Sequence, residues 1–266
     1  MLHLFKVAEV FAKKYPDSIF FDVGSNIGIF TYFIVRLNRK CHSFEPHEYY
    51  FNILKTRLKF LKIEKKFKRK IVYPSIHKLG ISKEIDTLNL NHSSLSGSHS
   101  FIKEDTPAPN NKKSLCQVTT LDNYFKINLI EKKPIFIKID IEGYEENALL
   151  GSLSVIKNYK PTFFIEVRKN NIKSKNTYEK ILKILIPMGY KLINSQKEIL
   201  DYANDSDAHF DVLLCYKDFW DLKFISGDLK ILNRKQKFYR IIKRLFNFQL
   251  SDLHHLAIRK PFDIFY

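Results

Sequence analysis

The stretch "SIFFDVGSNIGIFTYFIVRLN" (residues 18–38) decides the fold. Residues 18–23 form a short apolar run with the length and composition of a buried strand. Asp22 closes that run, and Gly24 and Gly28 follow. Ile27, Phe30, Ile34 and Leu37 then recur at helical spacing. A strand that turns through glycine into a helix offers free backbone N–H groups to an anion. The glycines are expected to let a ligand approach the backbone and the helix pack close. Asp22 adds an acceptor for a cation.

The same alternation continues along the chain. "KCHSFE" (40–45), "PIFIKID" (134–140) and "PTFFIEV" (161–167) read as strands, with "YKLINS" and "HFDVLLCY" (209–216) as the last ones. "HEYYFNILKTRLKFL" (47–61), "YEENALLGSLSVIKN" (144–158) and "NTYEKILKILIPMGY" (176–190) read as helices, the second weakened at Gly151. "KIVYPSIHKLGIS" (70–82) and "IDTLNL" (85–90) read as strands or extended edges. The start, "MLHLFKVAEVFAKKYPD", predicts an amphipathic helix over about residues 3–15, ended before Pro16, and not a secretion signal. Residues 91–114, rich in Ser, Asn and Pro, read as a long variable loop over one end of the sheet.

This order predicts an α/β fold: a doubly wound, mostly parallel sheet with helices on both faces. One domain spans residues 1–220, and a basic, helical C-terminal extension spans 221–266. Ligands in such folds bind beyond the carboxyl ends of the strands. Four predicted strands end in an acid there: Asp22, Glu45, Asp140 and Glu166. Each acid has a plain competing role as the cap of the next helix. Glu45 follows Gly24 by 21 residues, the distance at which the next strand presents an acid to ribose hydroxyls. The glycine pattern is G-x-x-x-G, and Asp22 would oppose a pyrophosphate, so a dinucleotide fits poorly. S-adenosylmethionine fits better, carrying a carboxylate, an ammonium and a ribose but no phosphate.

"FDVGSNIGIFT" and "SFEP" (43–46), followed by "VTTLDNYF" (118–125), "IFIKIDIEGYEENALLG" (135–151) and "FFIEV" (163–167), resemble the FkbM family of S-adenosylmethionine-dependent methyltransferases. The resemblance covers about residues 18–216. It implies a class I, Rossmann-like fold with seven strands, one of them antiparallel, and O-methylation of a sugar, glycan or related small molecule. It places Asp22, Gly24, Ser25, Asn26 and Gly28 around the methionine end of the cofactor and Glu45 at the ribose. Asp140, Glu142 and Gly143 would stand where methyl group and acceptor meet, with Glu166 after the next strand.

An alcohol acceptor needs a base to take its proton as the new bond forms. Asp140 is the first candidate, Glu166 the second and His209 the third. Lys138 shares a face with Asp140 by alternation, which predicts an ion pair. Glu142 competes as a cap for the helix near Tyr144, and Asp122 reads as the N-cap of a short helix. His209 competes as a structural histidine. His92 and His99, in the polar loop, are expected at the surface. Asp140, Glu142, Glu166 and His209 together form an oxygen-rich set, but no ligand spacing demands a metal and none is assigned.

The chain of 266 residues carries a formal charge of +17. Nine Lys or Arg lie in residues 55–70 against one acid, and ten lie in 221–266 against four. Such a field attracts anionic partners. It keeps open two alternatives: an RNA methyltransferase, and a non-catalytic basic binding module on the same fold. "KFYRIIKRLFNFQL" (237–250) pairs apolar and basic residues in a way compatible with an anionic membrane surface. Cys41, Cys116 and Cys215 are odd in number and far apart, which argues against a disulfide framework and fits a reducing, cytoplasmic setting. No apolar run reaches the roughly 18 residues that would span a bilayer.

Overall fold

The structure is a computed structural model, described over residues 2–63, 71–95, 97–106, 108–168, 177–193 and 209–216. In chain order, α1 (Leu2–Lys14) leads to β1 (Ile19–Val23), α2 (Ile29–Arg36), β2 (Lys40–Phe44), α3 (Glu48–Ile63) and β3 (Ser75–His77). Three further strands follow: β4 (Gly80–Ile81), β5 (Asp86–Ser93) and β6 (Pro109–Thr119). The chain continues as α4 (Leu121–Ile127), β7 (Ile135–Ile139), α5 (Glu145–Leu150), α6 (Leu153–Tyr159) and β8 (Thr162–Arg168). It ends in α7 (Thr177–Leu185), β9 (Tyr190–Leu192) and β10 (His209–Tyr216).

Seven strands make one sheet in the order β3-β2-β1-β7-β8-β10-β9. β3, β2, β1, β7 and β8 are parallel neighbours, whereas β10 runs antiparallel to both β8 and β9. The fold is therefore α/β and Rossmann-like, with the carboxyl ends of β2, β1, β7 and β8 meeting at one edge. β4, β6 and β5 make a separate small sheet.

The period of two along each strand separates two cores. Ile19, Phe21, Val23, Ile135, Ile137, Ile139, Phe163, Ile165 and Val167 face one side with residues of α4 to α7. Phe20, Phe136, Phe164, Leu213 and Cys215 face the other with α1 and α2, where Phe11 meets Phe20 and Phe136 edge-on at 5.7 and 5.4 Å. α3 closes on α2 through Leu54, Leu58 and Val35. All three cysteines are buried and free. Among the described residues no helix is long and apolar enough to cross a membrane.

Several expectations change. Residues 91–114 are not one long loop: Asn91–Ser93 belong to β5 and Pro109–Ser114 to β6, a hairpin whose pairing carries polar sequence into strand. The helix expected over 144–158 is two helices, broken at Gly151 and Ser152. A Cβ at Gly151 would meet the Ser82 carbonyl oxygen at 2.0 Å, so a tertiary contact, not helical periodicity, sets the break. β8 extends past Glu166 to Arg168, so that acid lies within its strand. The C-terminal extension 221–266 and the second half of the 55–70 cluster lie outside the described residues.

Candidate active site

On the α1/α2 face of the sheet, the apolar rows give way near the carboxyl ends to one polar row that crosses five strands. Ser43 on β2 is in register with Asp22 on β1, and Asp22 with Lys138 on β7. Beyond them, Asp140 meets Glu166 on β8, which is in register with Asp211 on β10. Asp22 is fully buried. Its Oδ2 accepts from Thr31 N at 3.1 Å and Thr31 Oγ1 at 2.6 Å, and its Oδ1 lies 3.3 Å from Lys138 Nζ. Lys138 also reaches Asp140 Oδ2 at 3.3 Å and donates to the Gly24 carbonyl at 2.8 Å. Burial opposes its charge, but Asp140 and Asp22 outweigh burial and hold the ammonium above the ordinary lysine range. The ion pair expected between Lys138 and Asp140 is therefore present, with a second partner in Asp22.

The turn after β1 is shaped by neighbours packed against it. Gly24 has φ +80°, and a Cβ there would stand 1.9 Å from the Asp140 carbonyl oxygen. At Gly28, φ +81°, it would stand 2.3 Å from Leu54 Cδ1. The space on the Cβ side of the glycines is thus filled by the residue that follows β7 and by α3, the close packing of a helix that the sequence led us to expect. Ser25 is buried and its hydroxyl donates to the Asp22 and Phe44 carbonyls at 3.0 and 3.1 Å. Asn26, at φ +50°, donates its N–H to Glu45 Oε2 at 2.7 Å. Glu45 Oε1 accepts from His47 N at 2.9 Å. Burial pushes Glu45 up to about 7, although both N–H bonds pull it down.

Glu166 is mostly buried, and its proton is held far above the carboxylate range by burial and then by Asp140, Glu145 and Asp211. Three acids, Asp140, Glu142 and Glu166, bring an oxygen each within 4.8 Å of one another. A proton kept on Glu166 and hydrogen-bonded to Asp140 relieves that crowding. Burial likewise raises Asp211. Asp140 itself keeps 39% of its side chain exposed, so it is the member of the row that faces the mouth.

Capping roles fall to other residues than the sequence suggests. Glu142 sits at φ +57°, ahead of α5, and does not cap it. Glu145 instead turns back, its Oε1 accepting from Ile141 N and Gly143 N at 3.0 and 3.2 Å. Thr120 caps α4, while Asp122 reaches across to Ser154 N and Val155 N in the first turn of α6. His209 opens β10 opposite Arg168, and its side chain is outside the described set.

A strap from the β5–β6 hairpin crosses the mouth, where a loop over one end of the sheet was expected; its anchors carry no sequence signal. Gly97 N donates to Tyr50 Oη at 2.9 Å, and a Cβ on Gly97 would strike the Asn26 amide. Ser100, fully buried, donates to the Glu142 carbonyl at 2.7 Å. Between these anchors the His99 ring stacks on His47 at 4.4 Å, with His92 4.6 Å from His47. His92 and His99 are thus partly covered, not at the surface as expected; burial lowers both, His99 to about 4. Gly24, Asn26, Ile27, Pro46, His47, Asp140, Ile141 and Glu142 remain partly open around the strap and form the reachable lip.

The Methyltransferase FkbM domain family matches residues 22–192. No curated protein matches the chain. Among solved structures, the chain is similar to methyltransferase FkbM from Methylobacillus flagellatus, with 19% identity and a TM-score of 0.46 over 75% of this chain and 44% of that one. This chain thus spans less than half the length of that protein. It is also similar to an rRNA methylase from Streptococcus thermophilus (13% identity, TM-score 0.40, 79% and 94% covered). A TehB-like SAM-dependent methyltransferase from Corynebacterium glutamicum aligns with 9% identity and a TM-score of 0.40, over 80% and 88% of the two chains. With a match that begins at Asp22 and takes in the glycine turn, Glu45, Asp140 and Glu166, the chain belongs to the FkbM methyltransferase domain family.

Proposed function

We propose that the protein is an S-adenosylmethionine-dependent O-methyltransferase acting on a hydroxyl of a sugar, glycan or related small molecule. The observation that carries this reading is the contrast between Asp140 and Glu166: one partly exposed and ion-paired, the other mostly buried among acids, where burial and Asp140 favour its protonated form. The partly open lip sets the Asp140 carboxylate beside the backbone of a left-handed turn at Asn26, with the buried Glu45 just behind that turn, a polar set that fits an amino acid nucleoside. S-adenosylmethionine would supply a methyl group on a sulfonium sulfur. Glu45 would accept from ribose hydroxyls, while Gly24, Ser25, Asn26 and Gly28 fix the turn that faces the methionine part. Asp22 serves that site from beneath, through Thr31 and Lys138.

Asp140 would accept the proton of the acceptor hydroxyl. Glu166 keeps its own proton and steadies the Asp140 carboxylate by donating to it. A mouth bearing three crowded acids favours neutral, hydroxyl-rich acceptors, which donate to carboxylates, over acceptors dense in phosphate.

Calorimetric titration with S-adenosylmethionine, with NAD as control, tests the first half. Transfer of labelled methyl to a panel of monosaccharides, glycans and RNA tests the second. Binding of neither cofactor removes the reading, and transfer to RNA alone replaces the acceptor.

A further inference from the structure

The opposite end of the sheet carries a second feature, unrelated to the mouth. Ile127 ends α4 and Leu129 follows two residues later; they are 68% and 84% exposed. Leu129 is held at φ +45°, a backbone conformation leucine seldom adopts. Neither side chain adds to a core. The segment that presents them is firmly built. Ile130 is buried, its N–H donates to Phe125 O, and its carbonyl accepts from Tyr159 Oη at 3.1 Å. Asn128 donates twice to the Tyr124 carbonyl.

Lysines surround this projection. Beside it lies a cleft of about 420 Å³ lined by Lys132, Lys133, Pro134, Lys157, Asn158, Tyr159 and Lys160. Lys126 precedes Ile127, and Lys40 reaches the same edge through Glu131 at 3.6 Å. Glu131 is shared between Lys40 and Lys133, and Asp17 acts on Lys133 from the loop before β1. Six lysines thus face two acids around two projecting apolar side chains. Lysines alone would suit any polyanion. Exposed aliphatic side chains at their centre suit a surface that offers phosphate outside and hydrocarbon beneath. A nucleic acid would be expected to meet an exposed aromatic face on which bases stack; Tyr159, the aromatic residue of this cleft, packs against the core and spends its hydroxyl on the Ile130 carbonyl.

We propose that the face formed by Lys126–Pro134 and Lys157–Lys160 docks the protein on an anionic phospholipid bilayer, with Ile127 and Leu129 entering the headgroup boundary and the lysine cleft taking lipid phosphates. The face lies at the amino end of β7 and the mouth at its carboxyl end, about 16 Å along the strand. Docking therefore leaves the mouth directed away from the lipid.

Flotation of the full chain with phosphatidylcholine vesicles, with and without 30 mol% phosphatidylglycerol as the composition chosen for the test (roughly the anionic content that gives lysines a useful attraction), provides the readout. The wild type is expected to float only with the anionic vesicles. Ile127→Asp combined with Leu129→Asp, and separately Lys132→Glu combined with Lys157→Glu, should each lower the bound fraction about tenfold, with thermal melting unchanged. The basic tail is present in every variant, so equal flotation of wild type and variants would overturn the proposal, as would equal binding to neutral vesicles. As a second measurement, Trp220→Phe with Leu129→Trp gives a single tryptophan at the projecting site. Its emission should shift to the blue with anionic vesicles, and an unchanged spectrum would also overturn the proposal. Lysine-dependent binding to single-stranded RNA without vesicle binding would do the same and assign the face to nucleic acid.

Discussion

Lys138 Nζ stands 3.3 Å from Asp22 Oδ1, between residues in register on β7 and β1 whose side chains are 9% and 0% exposed. Neither charge has water to return to. Removing one partner therefore strands the other. Lys138→Met should cost about 3–5 kcal/mol of stability, the usual penalty for an orphaned buried charge. Lys138→Met combined with Asp22→Asn should recover most of it, because the amide still accepts from Thr31. Urea denaturation of the two singles and the double checks this, and additive losses would contradict the coupling.

Gly24 makes the same point through sterics. Its φ of +80° disfavours any side chain, and a Cβ would press on the Asp140 carbonyl at 1.9 Å. Backbone cannot swing aside as a side chain tip can. Gly24→Ala should therefore cost more than about 2 kcal/mol and shift β7 away from β1. Since Asp140 is the residue displaced, cofactor binding should weaken along with stability. Denaturation and calorimetry on one preparation would show whether the two losses travel together.

The central strands were legible because "SIFFDV" and "PIFIKID" are apolar on both faces, as parallel buried strands must be. The interruption of that pattern by Asp22, Lys138 and Asp140 was legible as well, and alternation alone paired Lys138 with Asp140. Asp22 as a second partner was not, since it needs the β1–β7 register. The need for glycine at 24 and 28 could be read, but not what fills the space, since Asp140 is 116 residues from Gly24. "PNNKKS" (109–114) carries no alternation; it becomes strand because β5 supplies partners. The clustered histidines join positions 47, 92 and 99, and nothing local marks them as neighbours.

Beside Glu166, two buried acids tie stability to pH near neutrality. Burial raises Glu45 and Glu145 from 4.5 to about 7 in the fold. The folded chain then binds protons that the unfolded chain has released. Their contribution is complete below about pH 4.5 and is lost as pH rises through 7. His42 and His99, lowered to about 4 by burial, act in the opposite sense: their contribution is present above 6.5 and lost as pH falls through 4. Glu145→Gln keeps the acceptor oxygen for Ile141 N and Gly143 N and cannot ionise. Its melting temperature relative to wild type should rise between pH 5 and pH 8, by at least about 3 °C. The histidines are common to both proteins and cancel in the difference. A gap independent of pH would show that Glu145 does not carry the linkage.

Asp140 and Glu166 are separable by one pair of substitutions. If Asp140 takes the acceptor's proton, Asp140→Asn should lower kcat about a hundredfold or more while leaving S-adenosylmethionine binding nearly intact. Burial and the neighbouring acids favour a protonated Glu166, hydrogen-bonded to Asp140. Glu166→Gln supplies an N–H donor in the same place, so kcat should fall less than about fivefold, against a much larger loss for Glu166→Ala. Were Glu166 the base, Gln and Ala would be equally damaging, since neither accepts a proton. The pH profile separates the cases further. In Glu166→Gln the acidic limb should stay governed by Asp140 and its Lys138 partner. Disappearance of that limb in Glu166→Gln, with Asp140→Asn still active, would transfer the catalytic role to Glu166.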